Sequence, residues 1–288
     1  MRAPLALLLS LTVSISPPHA LALEQDEVTP FETGQQGGII LRVTLNGRGP
    51  FRFLLDTGST HTAVSEKTAA LIGAPVVAKT TLGSVAGSRA AVVVRIDALE
   101  VGPINVPDLL ATVANLGMAG GVDGVIGHDA LATLRYTIDF SQRRVLWWPV
   151  DAAVARGTAI DLQSIQGRFL LSLPQRQSVL RLVPDTGASS LLLFDPVHSR
   201  QVTHLPERIR LMTSSAETDV HMARMRELRV GDVTLRDIPA VVTHRDDSEP
   251  AEVDGLLPLH YFDRVTVDGP GKRLIVEKTG AYGRLMFF

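Results

Sequence analysis

An apolar run that ends in Asp-Thr-Gly occurs twice, once in each half of the chain. The first copy is Leu54-Leu55-Asp56-Thr57-Gly58-Ser59-Thr60 and the second is Leu182-Val183-Pro184-Asp185-Thr186-Gly187-Ala188-Ser189. Each reads as a strand that breaks into a turn at its acidic residue. The surroundings repeat as well. Leu99-Glu100-Val101-Gly102-Pro103-Ile104 is answered by Leu228-Arg229-Val230-Gly231-Asp232-Val233, and Asp123-Gly124-Val125-Ile126 by Asp254-Gly255-Leu256-Leu257. The second pair follows its aspartate at the same distance in both halves, to within two residues. A register held over several elements predicts two homologous lobes, each largely antiparallel β.

The local pattern fills in each lobe. Ile39 to Leu45 and Phe51 to Leu55 are strands joined by the hairpin signal Asn46-Gly47. A short helix is expected from Thr62 to Leu71, stopped by Gly73 and Pro75, and another from His128 to Leu134. Thr80 to Val101 reads as a long hairpin with Gly83, Ser84, Val85, Ala86 and Gly87 at its tip. The second half carries its counterpart around Thr213 to Asp219, including Ser214 and Ser215. Tyr136 to Phe140 with Arg144 to Trp148, and Val265 to Asp268 with Arg273 to Val276, close the two lobes.

The chain of 288 residues has room for these two lobes and a real core, with 45% hydrophobic and 20% charged residues. A net charge of −2 without blocks of like charge argues against nucleic acid as a partner. The absence of cysteine excludes a disulfide framework, a thiolate zinc site and a cysteine nucleophile. Met1-Arg2, the apolar run Leu5 to Ile15, Pro17-Pro18 and Ala20-Leu21-Ala22 form a secretory signal pattern. Cleavage is expected after Ala22, giving an exported, periplasmic or secreted protein without stable membrane insertion. Residues 23–36 are polar and read as a linker or loosely held arm. The lobes are expected at 37–150 and 168–288, with an inter-lobe connection at 151–167.

Two aspartates on facing turns define a chemistry. Carboxyls held about 3 Å apart cannot both ionise, so they share one proton. The ionised member can act as a base on a water between them, while the protonated one donates to a carbonyl oxygen. This needs no metal and no cofactor. Gly58 and Gly187 permit close approach of the two turns, and Thr57 and Thr186 carry hydroxyls able to bond across the lobe interface.

The doubled Asp-Thr-Gly and the element Val125-Ile126-Gly127 resemble the retropepsin/pepsin clan of aspartic proteases, in the form of an exported bacterial protein with two fused retropepsin-like lobes. The resemblance implies an all-β, bilobal aspartic protease fold, two antiparallel β lobes with short helices and the active site between them. It implies a catalytic Asp56–Asp185 dyad supported by Thr57, Gly58, Ser59, Thr186 and Gly187, and hairpin flaps over a peptide or protein substrate. No tyrosine stands in either flap, which fits a retropepsin-like flap. By analogy the Ser59 hydroxyl bonds the Asp56 carboxylate, leaving Asp185 as proton carrier; Ala188 offers no such group. Pro184 and Pro258 depart from the family pattern, the latter standing where the family has glycine.

Other residues carry blander readings. His128, His198, His221, His244 and His260 show no metal-ligand spacing. Ser59 and Ser189 lack the context of a nucleophile. Asp123 and Asp254, each followed by glycine, read as loop caps; Trp147 and Trp148 are expected to split between core and lobe contact, and Met222 and Met225 read as packing, with lining of a peptide groove as the alternative. Three functions remain open: an aspartic endopeptidase, a non-catalytic peptide-binding module for which Pro184 and Pro258 speak, and a homodimer with an Asp56–Asp56 site in place of the expected monomer.

Overall fold

The computed structural model describes residues 28–278 except 35–36, 85–86, 117–120, 150–156, 177, 196–201, 213–216 and 246–248. The signal pattern and the tip residues Val85, Ala86, Ser214 and Ser215 lie outside the described residues, as does His198. The first lobe contains β1 (Val28–Pro30), β2 (Glu32–Thr33), β3 (Ile39–Leu45), β4 (Arg48–Leu55), β5 (Ala63–Ser65), α1 (Glu66–Ile72), β6 (Val76–Ser84), β7 (Gly87–Val101), β8 (Ile104–Ala114), β9 (Gly124–Ile126), α2 (His128–Leu131), β10 (Arg135–Asp139) and β11 (Arg144–Trp148). The second contains β12 (Ala159–Ile165), β13 (Arg168–Pro174), β14 (Val179–Asp185), β15 (Leu191–Asp195), β16 (Val202–Met212), β17 (Glu217–Val230), β18 (Val233–His244), β19 (Gly255–Pro258), β20 (Arg264–Asp268) and β21 (Arg273–Glu277). The fold is all-β and bilobal.

Local chemistry sets the strand ends. Asn46 and Gly47 both adopt positive φ, as the Asn-Gly signal demands, and join β3 to β4. The Asn46 Oδ1 then accepts from the amides of Asp97 and Ala98, which ties this turn to β7. Ser65 caps α1 by accepting from the Thr68 amide, and Gly73 ends it in the left-handed region. The helix expected from Thr62 therefore starts later, because Ala63 to Ser65 pair with β8 and β9 instead.

At the heart of each lobe the pairing is parallel, which alternation of side chains does not reveal. β4 runs parallel to β9 and β14 parallel to β19. The Asp-Gly repeat puts a glycine at the start of β9 and of β19, where a neighbouring strand comes too close for a side chain. A Cβ on Gly124 would fall 2.2 Å from the Phe53 ring, and one on Gly255 would fall 1.9 Å from the Leu192 carbonyl. Asp123 and Asp254 clamp the same crossings. Each accepts a backbone amide, from Arg52 and Arg181 respectively, and donates its own amide back to that residue's carbonyl. Phe53, Leu55, Leu182 and Val183 are fully buried behind the two aspartates. Each contributes roughly 1.5–3 kcal/mol of hydrophobic stabilisation and holds its strand in place.

The lobes meet edge to edge. β10 pairs antiparallel with β20, so one continuous sheet runs from β1 through β11, β10, β20, β21 and β12 into the second lobe. Residues 28–33 correct one expectation. They form no loose arm: β1 is the outer strand of the shared sheet, and β2 pairs with β3. Thr29, 8% exposed, accepts from the Trp147 indole at 2.8 Å. Trp147 is core, whereas half-buried Trp148 donates to Thr137 at the lobe junction.

Candidate active site

Asp56 follows the last residue of β4 and Asp185 is the last residue of β14, so two matching strand ends bring the carboxyls together. The threonines lock the loops. The Thr57 amide donates to Thr186 Oγ1 at 3.0 Å and the Thr186 amide to Thr57 Oγ1 at 3.1 Å. Each hydroxyl then donates into the opposite strand: Thr57 to the Pro184 carbonyl at 2.8 Å, Thr186 to the Leu55 carbonyl at 2.6 Å. Both threonines are buried, so the four bonds are shielded from water.

The glycines serve proximity. Neither Gly58 nor Gly187 has positive φ; what each lacks is room. A Cβ on Gly58 would lie 2.5 Å from the Asp185 Cγ, and one on Gly187 2.9 Å from the Asp56 Cγ. Each carboxyl thus rests on the opposite loop's glycine. Each also accepts two amides of its own loop through Oδ1. Asp56 takes Gly58 at 3.0 Å and Ser59 at 3.1 Å; Asp185 takes Gly187 at 2.6 Å and Ala188 at 3.1 Å.

Those bonds correct the expected role of Ser59. Its hydroxyl donates to the His61 carbonyl at 2.9 Å, and only its amide serves Asp56. Ala188 supplies the same amide in the other loop, so the missing hydroxyl changes nothing at the carboxyl.

The two carboxyls face each other across the loops, each against the opposite loop's glycine. Burial raises both above the ordinary carboxyl range. Asp185 is raised further, because the Asp56 charge adds to its burial. Backbone amides pull both down, and the Arg168 cation acts further to lower Asp56. The pair therefore holds one proton where free carboxylates have lost theirs.

Pro184 and Pro258 fit the site. Pro184 contributes the carbonyl that the Thr57 brace needs, which proline retains. Pro258 replaces Gly127, and the change is matched elsewhere. In the first lobe the Gly127 amide donates to Thr62 Oγ1, and the Thr62 amide and hydroxyl both bond Asp129. In the second lobe Leu191 stands in place of Thr62. Donor and acceptor vanish together, which leaves nothing unpaired. The Leu191 amide finds the buried Tyr261 hydroxyl at 2.9 Å, which itself donates to the Pro239 carbonyl.

The remaining candidates are dispersed. Gly83 pairs with Ser88, and Ser84 with Gly87, at the end of the β6–β7 hairpin, and β16–β17 forms the corresponding hairpin of the second lobe. Met225 is core, while His221 and His244 are exposed. His128 packs edge-on against Phe169 across the lobe boundary. Among the described residues no group of three or more His, Asp or Glu side chains is arranged to hold a metal ion. Reading one half alone could not find Arg168, Glu249 or Tyr261. Comparing the halves position by position exposes the joint change at Thr62/Leu191 and Gly127/Pro258.

No curated protein matches the chain. A sequence profile described as aspartyl protease matches residues 41–130 and 175–260, one segment in each lobe around its Asp-Thr-Gly loop. These segments make up more than half of the chain, which belongs to the aspartyl protease family and has two retropepsin-like lobes.

Proposed function

We propose that the protein is an aspartic-type endopeptidase whose catalytic pair is Asp56 and Asp185. The observation that carries this reading is the crossed lock of Thr57 and Thr186, which holds two carboxyls against each other's glycine. Asp56, the ionised member, removes a proton from a water set between the carboxyls. The water oxygen bonds to the peptide carbon, and the carbonyl electron pair moves to its oxygen, which takes the proton held by Asp185. Breakdown returns a proton to the leaving amine.

The substrate is a peptide or unfolded protein segment. It pairs in extended form beneath the β6–β7 and β16–β17 hairpins, where backbone bonding recognises a strand. The signal pattern supports action outside the cytoplasm. Pro184 and Pro258 favour no non-catalytic reading, since both are accommodated without an unpaired group.

The test is cleavage of a denatured protein by the mature chain between pH 3 and 7, beside Asp56→Asn and Asp185→Asn. Loss in both variants supports the heterologous dyad. Full activity in Asp185→Asn together with loss in Asp56→Asn would point to an Asp56–Asp56 homodimer. A folded parent without activity at any pH would overturn the proteolytic reading.

A further inference from the structure

Each strand that leads to an aspartate has a face turned away from the main core. Phe53, Leu55 and Leu182 enter that core, whereas Leu54 and Val183 belong to separate apolar clusters. Leu54 and Val183 each stand two residues before their aspartate, so alternation places them on the aspartate side of their strands.

Strand register carries this face across each lobe. In the first lobe Leu54 neighbours Val125, Val125 neighbours Ala63, Ala63 neighbours Thr112, and Thr112 neighbours Val93. The row begins beside the catalytic loop and ends on β7, a strand of the β6–β7 hairpin. In the second lobe the matching row is Val183, Leu256, Leu192, Val241 and Met222, ending on β17 of the β16–β17 hairpin. Leu54, Val93, Leu256 and Met222 are half-buried, so both rows reach the surface. A peptide lying beneath both hairpins runs between them.

The two rows are not equal. Ala63 and Leu192 hold equivalent positions, 129 residues apart like Thr57 and Thr186. An isobutyl group therefore fills the middle of the second row where the first has a methyl. Leu256 against Val125 and Met222 against Val93 add bulk in the same sense. Val241 is close to Thr112 in size, and Val183 against Leu54 alone runs the other way. Leu192 and Val241 are 4% and 3% exposed, packed with Leu170 and Phe194.

We propose that Ala63 and Leu192 are specificity-determining residues that give the substrate a direction, with a bulky apolar side chain against the first lobe and a small one against the second. The peptide in this inference rests on the proteolytic reading; the inequality of the rows rests on register and sequence. One methylene in an apolar pocket changes discrimination roughly 10–200-fold, so the Ala63/Leu192 difference is large enough to set a preference.

The experiment uses the mature chain and two peptides of identical composition, with Phe-Ala or Ala-Phe at the cleaved bond, the product masses identifying that bond. The parent cleaves one order at least about tenfold better in kcat/KM. Ala63→Leu removes the advantage of that order, Leu192→Ala raises the other, and Ala63→Leu/Leu192→Ala reverses the preference. Ala63→Val and Leu192→Val shift it the same way by less, and replace any larger exchange that does not fold. Equal cleavage of both orders by the parent, or the parental preference in a folded double variant, overturns the inference. The same peptides with a reduced, uncleavable bond at that position give Kd by calorimetry. A parent that cleaves neither peptide, yet binds them with an order preference that the double variant reverses, overturns the proteolytic reading and supports the unequal rows.

Discussion

Thr137 and Thr266 meet hydroxyl to hydroxyl at 2.7 Å, and they stand 129 residues apart, the same separation as Thr57 and Thr186. Both contacts join equivalent positions of the two lobes. Around the first, Arg135 faces Asp268 at 3.1 Å and Arg264 faces Asp139 at 3.7 Å, each lobe supplying one arginine and one aspartate. The shared sheet thus aligns the lobes, and the catalytic loops inherit that alignment.

The hydroxyl pair has an unequal chemistry. Thr137 Oγ1 also accepts from the Trp148 indole, so Thr137→Val orphans two groups and Thr266→Val one. We expect Thr266→Val to lower unfolding free energy by about 1 kcal/mol and Thr137→Val by about 2. Denaturant titration checks the order; equal losses would mean that Trp148 bonds elsewhere.

Gly58→Ala and Gly187→Ala insert a methyl against the opposing carboxyl. The tighter clearance, 2.5 against 2.9 Å, makes Gly58→Ala the more damaging. Loss of kcat of about a hundredfold is expected in Gly58→Ala, as for a displacement near 1 Å in a positioned site. Circular dichroism separates this from unfolding, and a fully active Gly58→Ala would show that the carboxyls are further apart.

Much of this arrangement was legible in the chain. Asp-Thr-Gly, Asn-Gly and the Asp-Gly repeats act through their immediate neighbours, so their spacing carries the information. Val28 to Thr33 misled because the segment is short and interrupted by Pro30, and its pairing is made only with β11 and β3, far along the chain. Ser59 misled because its amide, present in any residue, does the work expected of its hydroxyl. Arg168 and Glu249 are 81 residues apart, and no local pattern announces their contact.

The Leu191–Pro258 exchange gives a coupled prediction. Pro258→Gly adds a backbone donor in a buried place without an acceptor and should cost about 1–2 kcal/mol. Adding Leu191→Thr restores the pair seen at Gly127 and Thr62 and recovers part of that loss. Tyr261→Phe strands the Leu191 amide and should cost a similar amount. A double-mutant cycle reads the coupling, and strict additivity would separate the two positions.

The buried dyad predicts an inverted stability profile. Burial and the Asp56 charge put the Asp185 carboxyl well above its ordinary value of 3.8. The folded state then holds the proton more tightly than the unfolded chain does. Its favourable contribution is complete below the ordinary carboxyl range and is lost as pH rises through the raised value. Asparagine stays neutral throughout and keeps an oxygen for the Gly187 and Ala188 amides. Asp185→Asn should therefore melt a few degrees above the parent at pH 7, with the gap closing below pH 4. Asp56→Asn should gain less, because Arg168 and two amides already favour its charge. Calorimetry of the three proteins from pH 3 to 7 decides the matter, and coincident melting profiles would mean that both carboxyls titrate as exposed acids do.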